Sequence, residues 1–204
     1  MSSTSPIRKI VVAISGASGA VYGVRLLQML RGMPEVQSHL TVSETGLFNL
    51  QHELNLSLAQ VQDMAAVFYP VRELGAAIAS GSFQCDGMVV APCSMRTLSS
   101  IAHAMSDNLI TRAADVMLKE RRRLILMVRE TPLNLAHLRN MVSVTEMGGI
   151  IFPPVPAFYQ RPQTLDQTVD HSVSRVLDLL GLPHATGARW SGLPVVVGTP
   201  EPRG

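Results

Sequence analysis

Aromatic and charged side chains are both scarce in this 204-residue chain: Phe, Trp and Tyr make up 4% and Asp, Glu, Lys and Arg 16%. Cysteine is rarer still. Cys85 and Cys93 are the only two, and they lack the paired spacing of a zinc site, so no metal is expected. Both border an apolar run and read as buried thiols of a reducing compartment. No apolar run approaches the ~20 residues of a membrane span. The first nine residues are polar, with no signal-peptide core. A cytoplasmic protein is expected. The net charge of +2 is too small an excess to argue for nucleic acid. The run Arg121 to Arg123 reads as a solvated helix end before a strand.

Apolar residues make up 47% of the chain, which places it among compact globular proteins. At this length one domain can bury roughly 70% of its unfolded surface. The boundaries expected are a tail over 1–7, a domain over 8–182 and a C-terminal arm over 183–204. So little charge suggests a further buried surface, a homo-oligomer interface.

The organising stretch is Ile10 to Gly23. A β-branched, apolar run from Ile10 to Ile14 breaks into Ser15, Gly16, Ala17, Ser18 and Gly19, and a helical pattern follows at Val21, Val24, Leu27 and Leu30. This is a buried strand, a tight turn and a helix. Free N–H groups at the helix start would attract phosphate. Glycines at 16, 19 and 23 do not match the dinucleotide fingerprint, and no P-loop lysine follows. The spacing favours a phosphate or nucleotide site over a tight strand-to-helix connection with no ligand.

Strand-like and helix-like segments alternate through the rest. Strands are expected at 38–42, 67–69, 87–91, 124–128 and 148–151. Helices are expected at 45–53, from a Ser57 cap, at 72–80 (a marginal one), at 107–120, through Leu138 and at 165–180. Pro153, Pro154 and Pro156 enforce an extended segment as far as Phe158 and Tyr159. Such alternation implies a single α/β domain: a Rossmann-like or flavodoxin-like, doubly wound, mostly parallel sheet with ligands at its carboxyl edge. Loops 15–19, 93–97 and 129–132, with Ser43, would then share one crevice. Taken singly, Arg112, Asp115 and Lys119 read as an exposed helix stripe, Glu53 as a surface carboxylate, and Glu130 as a partner of Arg129. Tyr159 reads as a packed aromatic and Arg175 as a solvated cation.

The ordered set of motifs says more than any member of it. Residues 14–20 with Tyr22 and Gly23, then Pro92-Cys-Ser94, Arg112-Ala-Ala-Asp-Val116 and Leu118-Lys-Glu-Arg-Arg122 resemble the UbiX-type flavin prenyltransferases. So do Val128-Arg-Glu-Thr-Pro132, Pro153 to Tyr159 and Ala188-Arg-Trp190. The resemblance implies a dodecamer that joins a dimethylallyl group from dimethylallyl monophosphate to N5 and C6 of reduced FMN, without metal. The product, prenylated FMN, would serve a UbiD-type decarboxylase. It also implies that Gly16, Ala17, Ser18, Ser43, Ser94, Met95, Arg96, Thr97, Arg112 and Arg129 hold FMN. Lys119, Arg129, Tyr159 and Arg175 would hold the prenyl phosphate, and Ser18, Glu53, Lys119 and Glu130 would carry the chemistry. The chain departs from the resembled pattern after Ser43: many members carry Lys there, whereas Glu44 reverses the charge. Two other readings share the fold: a cysteine-decarboxylase-type flavoprotein and a non-catalytic FMN carrier that partners a decarboxylase.

Overall fold

The computed structural model describes residues 6–184. The motif at 188–190 and most of the expected C-terminal arm lie outside those residues. Six strands form one sheet: β1 (Arg8–Ile14), β2 (Val36–Val42), β3 (Val67–Pro70), β4 (Gly87–Cys93), β5 (Arg123–Val128) and β6 (Ile150–Ile151). Their order is β3-β2-β1-β4-β5-β6 and every pair is parallel. The expected doubly wound sheet is therefore present, and all parallel.

Seven helices cover it: α1 (Ala20–Arg31), α2 (Glu44–Leu54), α3 (Leu58–Gln62), α4 (Met95–Ala102), α5 (Leu109–Lys119), α6 (Leu135–Glu146) and α7 (Leu165–Leu180). Alternation along the strands divides the core in two. Ile10, Val12, Ile14, Val89 and Ala91 face α1, α2, α3 and α7, while Val11, Ala13, Met88 and Val90 face α4, α5 and α6. Residues 10–14 are fully excluded from solvent, and burying a Val or Ile contributes about 1.5–3 kcal/mol. That apolar run is what a strand covered on both faces requires.

Three local expectations need correction. Residues 72–80 contain a single 3₁₀ turn, Ala77–Ala79, because Gly75 and the preceding turns break the marginal helical pattern. The helix expected through Leu138 runs on to Glu146, started by an Asn134 cap that accepts from the His137 N–H. Arg122 is not solvated: it donates to the carbonyls of Gly81 at 2.7 Å and Phe83 at 2.6 Å.

Two residues translate this packing into measurable stability. A methyl group on Gly23 would sit 2.3 Å from the Ala91 carbonyl oxygen, so α1 can approach β4 only with glycine there. Gly23→Ala should cost about 1–3 kcal/mol in urea unfolding, because backbone rather than a flexible side chain must move. His39 is buried on β2 with Nδ1 3.0 Å from the Tyr69 hydroxyl. Burial, helped by Lys9, lowers its pKa from 6.5 to about 4. Between those values the unfolded chain binds more protons, so stability falls with falling pH. The His39 contribution to that loss should reach about 2 kcal/mol near pH 5, and His39→Gln should remove it from the pH dependence of the urea midpoint.

Candidate active site

In this strand order the chain leaves β1 and β4 toward opposite faces of the sheet, and the carboxyl edge between them is left open. Ser15 holds that point together. Its hydroxyl donates to the Pro92 carbonyl at 2.9 Å and accepts from the Ser94 N–H at 2.9 Å, joining the ends of β1 and β4. The first bond is buried and the second partly so, with Ser15 1% exposed.

Above this junction lies a crevice of about 540 Å³, within the range of cofactor-sized sites. Gly16, Ser43, Ser94, Met95, Arg96, Thr97 and Glu130 line it, so six of the residues expected to hold flavin, and one expected to carry chemistry, converge as the topology implied. Ala17 and Ser18 follow on the Gly16 loop. Ser18 is exposed, and Ala17 is buried with its carbonyl bonded by Asn49 Nδ2 at 2.8 Å. Arg129 follows β5 and its N–H donates to the Cys93 carbonyl at 3.1 Å. Its side chain is exposed and makes no hydrogen bond or ion pair with any described residue.

Polar donors are supplied chiefly by helix starts. The caps of α2, α4 and α5, Ser43, Ser94 and Asn108, all line the crevice. Ser43 Oγ accepts from the Gly46 N–H at 2.9 Å, and Ser94 Oγ from the Thr97 N–H at 3.2 Å. Asn108 Oδ1 accepts from the N–H groups of Ile110 and Thr111. Three positive dipole ends and two serine hydroxyls thus surround one space, an environment suited to an anionic ligand such as the phosphate of FMN.

The start of α1 is different, and here the sequence expectation is corrected. Its N–H groups are not free: Glu53 Oε2 accepts from Gly19 at 2.9 Å and from Ala20 at 3.0 Å. A carboxylate from α2 already satisfies that dipole. The absence of a Gly16 side chain serves packing too, since a methyl there would lie 2.6 Å from Thr45 Cβ. Gly19 does need its freedom, at φ +102°.

The other cations do not reach this crevice within one chain. Lys119 ends α5, whose first residues line the crevice, and eleven residues of helix carry it roughly 16 Å away. There it pairs with Glu120 and holds that carboxyl below its usual range. Arg112 donates to the Ala79 carbonyl at 3.2 Å and to Asp115 at 2.9 Å. Arg175 pairs with Asp178 in the lower half of α7, toward the end that Arg8 of β1 holds through the carbonyls of Leu180 and Gly181. Tyr159, in the 3₁₀ turn Phe158–Gln160, stacks edge-on with His171 at 6.0 Å. No cluster of His, Cys, Asp or Glu suited to a metal occurs among the described residues.

Sequence reasoning placed Ser15 in the 15–19 loop without a role of its own, and did not single out Thr45, Arg72 or Asn108. Only Asn108 carried a usable signal, the Asn-x-x-Thr pattern of a helix cap.

Comparison with known proteins agrees with this geometry. A family model described as Flavoprotein matches residues 1–175. The flavin prenyltransferase UbiX of Neisseria meningitidis is 54% identical over 187 residues, covering 92% of this chain and 98% of that protein. UbiX of Escherichia coli K12 is 53% identical, covering 91% and 100%. Among solved structures, AnUbiX in complex with FMN and dimethylallyl pyrophosphate superposes with a TM-score of 0.89 at 46% identity, covering 91% of this chain and 98% of that one. A dodecameric FMN-dependent UbiX-like decarboxylase from Escherichia coli O157:H7 gives 0.88 at 46%, covering 90% and 100%. A cysteine decarboxylase, TvaF, shares 17% identity at a TM-score of 0.59, which is a likeness of fold alone.

Because the Ser15 hydroxyl joins two strand ends, Ser15→Ala should lower unfolding stability by about 1–3 kcal/mol: the Ser94 N–H loses its acceptor, while the Pro92 carbonyl keeps the Ser15 N–H at 3.2 Å. A cysteine there, bonding more weakly, should fall between the two in denaturant titration.

Proposed function

Because the chain belongs to the UbiX flavin prenyltransferases within the flavoprotein family, we propose that it joins a dimethylallyl group to N5 and C6 of reduced FMN. The donor is dimethylallyl monophosphate and the product prenylated FMN, taken up by a UbiD-type decarboxylase. The observation that carries this reading is the convergence of Gly16, Ser43 and residues 94–97 on one crevice at the β1/β4 junction.

Gly16, Ala17, Ser18, Ser43, Ser94, Met95, Arg96 and Thr97 would hold FMN, with the dipoles of α2 and α4 facing its phosphate. Reduced flavin supplies the electron-rich nitrogen and carbon on which the new bonds form. The chain's part is to accept the departing phosphate, exclude water and move a proton. Cleavage of the allylic C–O bond leaves negative charge on phosphate, which guanidinium and ammonium donors stabilise through charge-assisted hydrogen bonds. Arg129, exposed at the end of β5 next to the crevice-lining Glu130, would serve this in its own chain. Glu53 reaches the opposite side of the Gly16–Gly19 loop, where its carboxylate can take or return a proton while Oε2 remains fixed by two N–H groups.

Lys119 ends α5 and Arg175 lies in the lower half of α7, so their assigned work on the prenyl phosphate would fall to a neighbouring copy. Arg112, tied to Ala79 and Asp115, follows the same logic. An assembly is supported independently by apolar side chains left in solvent. Leu135, Leu138 and Val142 share the outer face of α6, and Val155 and Phe158 follow β6 at 70% and 77% exposure. Surface of this kind marks association, and the proposed assembly is the dodecamer of the structural relative.

Lys119→Ala should keep FMN affinity but lose turnover by more than about a hundredfold, as removal of one transition-state donor does. Glu53→Gln should also be nearly inactive. Co-expressed, the two variants should form mixed assemblies in which some crevices carry both native residues, restoring part of the prenyl transfer read as mass gain on the flavin. Mixed assemblies as inactive as either parent would place Lys119 and Glu53 in one chain's site and overturn the shared arrangement.

A further inference from the structure

Two ion pairs bracket the crevice mouth, and each bridges two separate elements. Arg96 of α4 faces Asp107, ahead of α5, at 3.8 Å. Arg72, in the loop after β3, closes on Glu44 in the first turn of α2, and its Nε and Nη2 both donate to Glu44 Oε1, at 3.1 Å and 2.5 Å. All four residues line the crevice, as does Glu130. Two cations there face three carboxylates, and each cation is already engaged.

Stability does not account for the Glu44–Arg72 pair. Its side chains are 72% and 84% exposed, the setting in which an ion pair contributes least. Glu44 has no need of a cation, since a carboxylate in the first turn of a helix is already favoured by the dipole. The arginine is well anchored at its base: the carbonyl of the adjacent Val71 accepts from the Leu109 N–H at 2.8 Å, fixing this loop to the start of α5. A guanidinium on a fixed base, with only an exposed carboxylate to release, can turn a two-donor fork on a phosphate. The carboxylate it leaves behind then faces the same anion and repels it.

We propose that Arg72 is a phosphate-binding residue of this crevice and that Glu44 is its resident counter-ion, displaced by the phosphate and setting how readily that phosphate leaves. The identity of the phosphate monoester rests on the flavin prenyltransferase reading, which offers two: that of FMN and that of the prenyl donor. A transfer enzyme whose product must depart gains from a built-in competitor, because the competitor weakens ground-state binding without touching the reacting atoms.

The test compares wild type, Arg72→Gln, Glu44→Gln and the double variant, with thermal unfolding confirming the fold of each. FMN affinity is read by flavin fluorescence, riboflavin serves as the phosphate-free control, and dimethylallyl monophosphate is titrated into the FMN-loaded protein. Arg72→Gln should weaken one phosphate ligand about tenfold, the loss expected for one charge-assisted contact, and leave riboflavin unchanged. A shift in FMN affinity assigns the flavin phosphate. A shift in the donor's KM alone assigns the prenyl phosphate. Glu44→Gln should tighten the same ligand several-fold through slower dissociation, and most of that gain should vanish in the Arg72→Gln background. Unchanged binding of both ligands to Arg72→Gln, or weaker binding to Glu44→Gln, would overturn the proposal. Wild type that binds FMN yet transfers no prenyl group would end the functional reading while leaving this comparison intact.

Discussion

A single serine at the bottom of the sheet's open edge holds the geometry on which everything above it depends. Where the chain leaves two neighbouring parallel strands toward opposite faces, a gap opens and the regular ladder thins to a single backbone bond, from the Ser15 N–H to the Pro92 carbonyl at 3.2 Å. The Ser15 hydroxyl adds two more bonds there, donating to the same carbonyl and accepting from the Ser94 N–H. The loops after β1 and β4 are thereby held in register, and the caps of α2, α4 and α5 face a common space. Without the hydroxyl a single backbone bond would tie the two loops. The divergence also explains the two separate cores, since each strand passes alternate side chains to different helix layers.

Fold was legible in the sequence wherever burial imposed a simple pattern. The continuous apolar runs of β1 and β4 follow from coverage on both faces, and α7 begins and ends where its periodicity does, closed by Gly181 in the left-handed conformation. Legibility failed where long-range contacts decided the outcome. Residues 72–80 carry helix-forming alanines, but the chain uses them as a turn-rich bridge whose Val71 carbonyl anchors α5. The N–H groups of Gly19 and Ala20 look free until Glu53, more than thirty residues later, occupies them. Arg122 looks solvated in a basic run, yet two loop carbonyls hold it. No local spacing announces partners of that kind.

The site was legible in a different sense. Small and hydroxylated residues after strands could be assigned to one crevice because topology alone brings strand ends together. Ser43 and Ser94 then proved to have dual character, as helix caps whose hydroxyls also face the space, which is why they could be read either way. Lys119 and Arg175 show the limit of such reading. Their motifs identify a family, but a motif carries no information about which copy of the chain supplies the side chain. The length of α5 and the direction of α7 carry both side chains away from the crevice of their own chain, and neither lines it.

Charge distribution follows from the same arrangement. A crevice that must bind phosphorylated molecules and release one of them does poorly with a fixed cluster of unpaired cations, which would hold product as firmly as substrate. Here the lining cations are each matched by a carboxylate, and the uncompensated attraction for anions comes from helix dipoles, which are weaker and spread over three elements. Under the assembly proposed above, stronger cations arrive from neighbouring copies at the place where phosphate departs, so the largest electrostatic effect is concentrated on the bond that breaks. The chain's low charge content is consistent with dipoles, rather than additional cations, holding the ligand.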